Sequence, residues 1–167
     1  MDFTIPDNWQ SLGDEAREFA QTALASNVVE RDRRGAEDPN DWRDLWTAMA
    51  EYGLFGLVLP PDLGGSGYSY SQGAHILEEI GYGCEDSGLL LGLNAQIWPM
   101  QMPILEFGTD PQKEILKGMA KGELICAHAI TERASGSDAM SLATSAREVE
   151  GGFVLNGHKT YIGMSTT

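Results

Sequence analysis

A polar loop at residues 131–138 carries the residue types best suited to hold an anion or a polar cofactor. It reads Thr-Glu-Arg-Ala-Ser-Gly-Ser-Asp, so several hydroxyl groups surround Gly136, a residue that lets a ligand approach the backbone closely. Taken alone, the same composition is more typical of a capped surface turn, because Ser, Thr and Asp side chains bind their own backbone in such turns. The neighbouring segments must decide between these interpretations.

Those neighbouring segments have the character of short β-strands. Apolar and β-branched residues at 124–130, 142–149 and 153–155 predict strands. Glu150-Gly151-Gly152 and Asn156-Gly157 are hairpin-turn signals between them. We therefore expect the start of an antiparallel sheet, with the polar loop between its first two strands.

The preceding 121 residues have helical periodicity instead. Asp7 or Asn8 is expected to cap the first helix and Asn40 or Asp41 the second, which Gly53 ends. The charged stretch 30–38 ends at Pro39, and the Pro/Gly-rich stretch 60–67 is interpreted as an irregular loop. No Lys-Ser/Thr pair follows this loop, which favours a structural role over a phosphate-binding one. The predicted helices cover residues 9–24, 42–49, 71–80, 86–97, 99–107 and 111–119.

Composition excludes several functional classes. Acidic residues outnumber basic ones by 25 to 11, and the net charge of −14 disfavours nucleic acid as a partner. Cys84 and Cys126 are far apart, which argues against a disulfide scaffold or structural zinc, and no metal site is predicted. No apolar run is long enough to cross a membrane, so a cytoplasmic location without a membrane partner is expected.

Two linked motifs resemble the acyl-CoA dehydrogenase family. That family has a Thr-Glu-x-x-x-Gly-Ser-Asp loop followed by Asn-Gly-x-Lys-x-Trp-Ile-Thr, and this sequence has the loop at 131–138 and Asn-Gly-His-Lys-Thr-Tyr-Ile-Gly at 156–163. The helical segment is similar as well, at 53–56, 61–67, 101–104, 107–109 and 112–113.

The resemblance implies a multidomain α+β fold. An all-α helical N-terminal domain at residues 1–121 would be followed by the first strands of an antiparallel β-barrel domain at residues 122–167. The family's C-terminal helical bundle, which carries the catalytic Glu, is absent, so the chain is expected to be a fragment or split subunit that is inactive alone. No catalytic residue is assigned within it.

The resemblance also implies an FAD site. Its cofactor-binding residues would be Ile130, Thr131, Gly136, Ser137, Tyr161 and Gly163, with Ser137 and His128 near the substrate. Two of these cofactor-binding positions depart from the family pattern. Tyr161 replaces a Trp that packs on the ring system, and Gly163 replaces a Thr or Ser, leaving only its backbone N–H to meet the flavin.

The resemblance implies that the protein is a flavoprotein oxidoreductase of fatty acid metabolism. It would form an α,β-double bond in an acyl-CoA or acyl-carrier-protein thioester. Its partners would be an electron-transfer flavoprotein or a similar acceptor and further subunits of a homo- or hetero-oligomer. Two alternatives stay open. Gly163 favours a flavin-dependent monooxygenase or oxidase of the same fold, and the shortness of the chain is compatible with a non-catalytic partner subunit.

Overall fold

The computed structural model describes residues 4–34 and 42–165, and the chain divides into two compact units after Ile125. The first unit is helical and the second contains a β-hairpin. This is the order predicted from the sequence, helices followed by antiparallel strands. No helix in the described part of the chain is long and apolar enough to cross a membrane.

Helix α1 (Asp7–Phe19) is extended by a π-helical turn at Ala20–Leu24, and it packs against α4 (Tyr70–Gly83). Two glycines permit the close approach of these helices. A Cβ on Gly83 would lie 2.6 Å from the Ala20 Cβ, and one on Gly13 would lie 2.6 Å from His75 Nε2. Arg17 on α1 also forms an ion pair of 2.5 Å with Glu79 on α4. The interface therefore combines small residues with one charged contact.

The remaining helices are shorter. Helix α3 (Arg43–Tyr52) ends at Gly53, which is left-handed with φ of 90°, as predicted. Asp86 caps α5 (Ser87–Ala95) by accepting from the Leu89 N–H at 3.0 Å. A π-helical segment at Gln96–Gln101 joins α5 to α6 (Met102–Phe107). The helices are α2 (Val28–Arg34), α3 (Arg43–Tyr52), α5 (Ser87–Ala95), α6 (Met102–Phe107), α7 (Asp110–Lys113) and α8 (Ile115–Ala120).

The core of this unit is built around the segment that follows Gly53. Leu54 and Phe55 are fully buried, and the Phe55 ring lies 4.3 Å from that of Trp46. Buried Gln101 donates through Nε2 to the Phe55 carbonyl oxygen at 2.8 Å, which gives that buried carbonyl a hydrogen-bond donor inside the core. The Pro/Gly-rich loop packs on the same segment, because the Ser66 and Gly67 N–H groups donate to the carbonyls of Gly56 and Leu59.

Several local predictions for the helices were wrong. The first helix begins after Pro6 without a side-chain cap from Asp7 or Asn8. Helix α2, which includes part of the charged stretch, was not among the predicted helices, and Pro99 lies inside a π-helical segment rather than at a helix start. The helix predicted at 111–119 is broken at Glu114 into α7 and α8. The predicted cap at Asn40 or Asp41 lies outside the described residues.

The second unit contains one antiparallel hairpin. Strand β1 (Ser145–Val149) pairs with β2 (Gly152–Asn156), with Ser145 opposite Asn156 and Val149 opposite Gly152. Gly151, with φ of 81°, makes the predicted turn. The segment 124–130, predicted as a strand, forms no helix or strand in the described part, and Asn156-Gly157 leads into irregular chain rather than into a second hairpin.

We predict that Gly83→Ala destabilises the helical unit by about 1–3 kcal/mol, because the new Cβ would collide with Ala20 and with the Arg17 carbonyl oxygen. Gly81→Ala is the matched control on the same helix, since a Cβ there meets nothing within 4 Å. Better helix propensity should make that variant about 0.5–1 kcal/mol more stable. Urea unfolding followed by tryptophan fluorescence measures both effects. Equal stabilities of the two variants would contradict the close α1–α4 contact.

Candidate functional site

The polar loop is organised around a buried carboxylate. Glu132 is only 7% exposed. Its oxygens accept hydrogen bonds from the backbone N–H groups of Ala143 at 2.7 Å and Thr144 at 2.9 Å. The ammonium of Lys159 donates to the same carboxylate at 2.8 Å. One side chain thus joins three separate stretches of the second unit.

These donors stabilise the ionised form of Glu132. The Lys159 ammonium, assisted by the Ala143 and Thr144 N–H groups, lowers the pKa of the Glu132 carboxyl from its ordinary value of 4.5 to about 2. The carboxylate therefore stays charged and engaged throughout the physiological range. A group with so low a pKa is a poor general base at neutral pH.

A tight turn follows Glu132. The Glu132 N–H donates to the Ser135 carbonyl oxygen at 2.9 Å, and the Ser135 N–H donates back to the Glu132 carbonyl oxygen at 3.1 Å. The buried Ser135 hydroxyl donates to the Asp138 carbonyl oxygen. Because Ser135 is turned inward in this way, the next two residues, Gly136 and Ser137, lie on the exposed side of the loop.

The loop is tied to the segment after β2. The Thr160 N–H donates to the Thr131 carbonyl oxygen at 3.0 Å, and the Lys159 ammonium donates to the Ile130 carbonyl oxygen at 2.9 Å. Tyr161 follows directly, in left-handed backbone conformation with φ of 57° and with 92% of its surface exposed. Residues 29 positions apart in the chain are thereby brought together.

The structure places most of the predicted site residues on this framework. The segment that carries Ile130 and Thr131 is bonded to the one that carries Tyr161, and the Glu132–Ser135 turn presents Gly136 and Ser137. Gly163 is exposed, and a Cβ there would meet nothing within 4 Å. His128 is also exposed, in the irregular segment before Ile130. In the described part of the chain no hydrogen bond joins His128 to the loop.

Sequence reasoning missed the two charged residues that hold this arrangement. Glu132 was given no role, and Lys159 entered only as a letter of a motif. The signal that could have found them is their opposite charge combined with their positions, one at the start of the polar loop and the other beyond a predicted hairpin. A hairpin returns its second strand to the neighbourhood of the first, which brings such residues within reach of each other.

Comparison with known proteins identifies the family. The family model described as "Acyl-CoA dehydrogenase, N-terminal domain" matches residues 6–123, which is more than half of the chain. The chain belongs to the acyl-CoA dehydrogenase family. A 3-(aryl)acrylate reductase of Clostridium sporogenes is 38% identical over 148 residues, covering 88% of this chain and 38% of the relative.

The names of two other relatives indicate substrates that are attached to carrier proteins. An L-prolyl-[peptidyl-carrier protein] dehydrogenase of Pseudomonas fluorescens is 37% identical, covering 71% of this chain and 32% of its own length. The crystal structure of the prolyl acyl carrier protein oxidase AnaB has a TM-score of 0.87 and 35% identity, covering 95% of this chain and 41% of that chain. The chain therefore spans well under half the length of these relatives.

A further similar structure is described as PigA with FAD and proline. Its TM-score is 0.86 at 30% identity, and the match covers 97% of this chain and 42% of that chain. The similarity extends through both units of this chain, because nearly all of its residues are aligned. The solved relatives of this acyl-CoA dehydrogenase family member thus include a flavin complex.

The residues of the loop fit the chemical demands of a flavin. An isoalloxazine ring has flat apolar faces and a polar edge, so it needs an exposed apolar or aromatic surface beside free hydrogen-bond donors. The loop provides the exposed ring of Tyr161, the 36% exposed side chain of Ile130 and the exposed hydroxyl of Ser137. A Cβ on Gly136 would meet nothing within 4 Å, so the backbone there is open to a ligand.

We predict that Glu132→Gln removes an acid-sensitive part of the stability of the second unit. The folded pKa is lower than the ordinary value, so the contribution is fully present above pH 4.5 and is lost as the pH falls towards 2. The variant should melt at a lower temperature than the parent at neutral pH and should lose less stability on acidification. Amide resonances of residues 126–165 in a ¹⁵N-labelled chain report melting of this unit.

Glu148→Gln is the matched control. Glu148 is exposed on β1, and this substitution removes the same charge without disturbing the loop. The control should retain the parent's acid dependence between pH 4.5 and 2. If both variants lose the same acid dependence, the buried carboxylate is not its source.

Proposed function

We propose that this chain contributes the flavin loop of an FAD-dependent oxidoreductase that forms an α,β-double bond in an acyl thioester. The observation that carries the proposal is the loop at 130–137, which the Glu132 contacts hold beside the exposed ring of Tyr161. Membership of the acyl-CoA dehydrogenase family and a similar structure described with FAD support the cofactor.

In this proposal the residues of the loop and of the segment after β2 hold the flavin through different groups. Thr131 and Ser137 offer hydroxyl groups, Gly136 and Gly163 offer backbone N–H groups, and Ile130 and Tyr161 offer apolar surface to the ring. Ser137 also contacts the thioester. His128 is assigned to the substrate side with it, because both side chains are exposed near the loop in sequence. FAD supplies the hydride acceptor.

The chemistry also needs a base for the proton on the carbon next to the thioester. Glu132 is unsuited to that task, because its pKa is about 2 and its oxygens are engaged by Lys159 and two backbone N–H groups. We therefore assign the base to none of residues 1–167. The proposed electron acceptor is an electron-transfer flavoprotein or a protein of similar function, and the active assembly is an oligomer.

A second candidate is an oxidase or monooxygenase on the same fold. Gly163 favours it, because this position offers only a backbone N–H and open space where a hydroxyl side chain would otherwise stand. The similarity to a prolyl acyl carrier protein oxidase points in the same direction. Such an enzyme would return its electrons to oxygen rather than to a carrier protein.

We predict that the chain binds FAD and that the ring of Tyr161 contributes to this affinity. Tyr161→Phe should bind within about twofold of the parent because the flat ring is retained, whereas Tyr161→Ala should bind about tenfold more weakly. Phe153→Ala removes another exposed ring from the same unit and should leave the affinity unchanged. Titration of FAD fluorescence gives the dissociation constants. Absence of binding by the parent chain would withdraw the flavin assignment.

The reaction class is tested by adding an acyl-CoA or an acyl carrier-protein thioester under anaerobic conditions to the FAD-loaded chain. We expect no loss of visible flavin absorption with residues 1–167 alone, and bleaching when a protein segment that carries the family's catalytic Glu is added. Reoxidation by an electron-transfer flavoprotein would support the dehydrogenase. Reoxidation by oxygen alone would support the second candidate. Bleaching by the chain alone would contradict the absence of a base.

A further inference from the structure

Lys159 contacts the loop at a second point besides Glu132. Its ammonium lies 2.8 Å from the Glu132 carboxylate and 2.9 Å from the Ile130 carbonyl oxygen. The side chain is 22% exposed, so most of it lies against the protein. The cation is therefore fixed on the carbonyl side of the peptide that joins Ile130 to Thr131. An ion pair needed only to join two segments would not require this second contact.

A cation at this position changes the chemistry of the next residue. The Ile130 carbonyl and the Thr131 N–H belong to one resonance-stabilised peptide group. A charge-assisted hydrogen bond to the oxygen draws electron density towards it and leaves the N–H more positive, so the N–H becomes a stronger donor. Within the described residues the Thr131 N–H donates to no protein acceptor. The strengthened donor is thus not engaged by another group of the described protein.

We propose that Lys159 is a positioning residue that polarises the Ile130–Thr131 peptide and so strengthens the Thr131 N–H as a donor to the bound flavin. The inference rests on the flavin assignment made above. Reduced flavin carries more negative charge than oxidised flavin, so a stronger donor stabilises the reduced form more. Lys159 therefore raises the reduction potential of the flavin without touching it.

Glu132 has a defined part in this device. Its carboxylate holds the ammonium in place and balances its charge, while the Ala143 and Thr144 N–H groups hold the carboxylate. An unpaired ammonium would exert a Coulomb force on every charged group nearby. Because Glu132 neutralises Lys159, the pair acts mainly on the peptide group that the ammonium contacts. The Thr160 N–H donates to the Thr131 carbonyl oxygen at 3.0 Å, which fixes the position of Thr131.

The test compares Lys159→Met with Lys159→Arg and with Arg147→Met. Arg147 lies exposed on β1, so its variant removes the same charge from the same unit without touching the peptide. We expect Lys159→Met to bind FAD about tenfold more weakly and to shift the reduction potential of the bound flavin to a more negative value. Lys159→Arg should recover most of the affinity and most of the potential, and Arg147→Met should change neither quantity.

A purely structural role for Lys159 predicts a different pattern. Lys159→Met would then lower the melting temperature of the second unit, but the reduction potential of its bound flavin would equal the potential measured for Arg147→Met. That result overturns the proposal. If Lys159→Met does not fold, Lys159→Gln keeps an uncharged donor near the carbonyl and should give a smaller shift in the same direction.

A flavin-free measurement separates this inference from the flavin assignment. In a ¹⁵N-labelled chain without FAD, Lys159→Met should move the Thr131 amide proton upfield, while Arg147→Met leaves it in place. An unchanged Thr131 resonance overturns the polarisation. If the parent chain binds no FAD but the resonance moves, the polarised peptide stands, whereas both the flavin assignment and the proposed role of Lys159 towards the flavin fail.

Discussion

The second unit depends on a carboxylate that replaces missing sheet partners. Among the described residues its hairpin pairs β1 with β2 alone, so the chain on either side of the hairpin must find hydrogen-bond acceptors elsewhere. Glu132 accepts from Ala143 and Thr144 just before β1 and from Lys159 just after β2. The ion pair is nearly buried, and the low pKa of Glu132 reflects how fully its charge is satisfied. Without that charge the loop would lose its acceptor for both flanking segments.

The same contacts explain the division between buried and exposed groups in the loop. Glu132 and Ser135 are buried, and their side chains form hydrogen bonds within the protein. Gly136, Ser137 and Tyr161 are exposed, which is where the proposed flavin would bind. A site that binds a cofactor needs this separation, because donors already engaged by the protein have nothing to offer and donors without support are not held in place.

The helical unit is held by a different constraint, the close approach of α1 and α4. Glycine at the contact lets the backbones meet, and Arg17 with Glu79 adds a charged bond at the edge of the same interface. The core beneath it is closed by the buried run after Gly53 and by Gln101, whose amide satisfies a carbonyl inside that run. These features lie within the segment that matches the acyl-CoA dehydrogenase N-terminal domain.

Local pattern alone determined much of this protein. Apolar spacing predicted the major helices, Gly53 and Gly151 marked a helix end and a hairpin turn, and two linked motifs indicated the family. Tertiary structure alone decided that residues 124–130 form no strand in the described part of the chain and that Glu132 and Lys159, which are 27 residues apart, meet. The reason is physical. Periodicity records which face of a segment is buried, whereas a strand or an ion pair exists only when a distant partner arrives at the right distance.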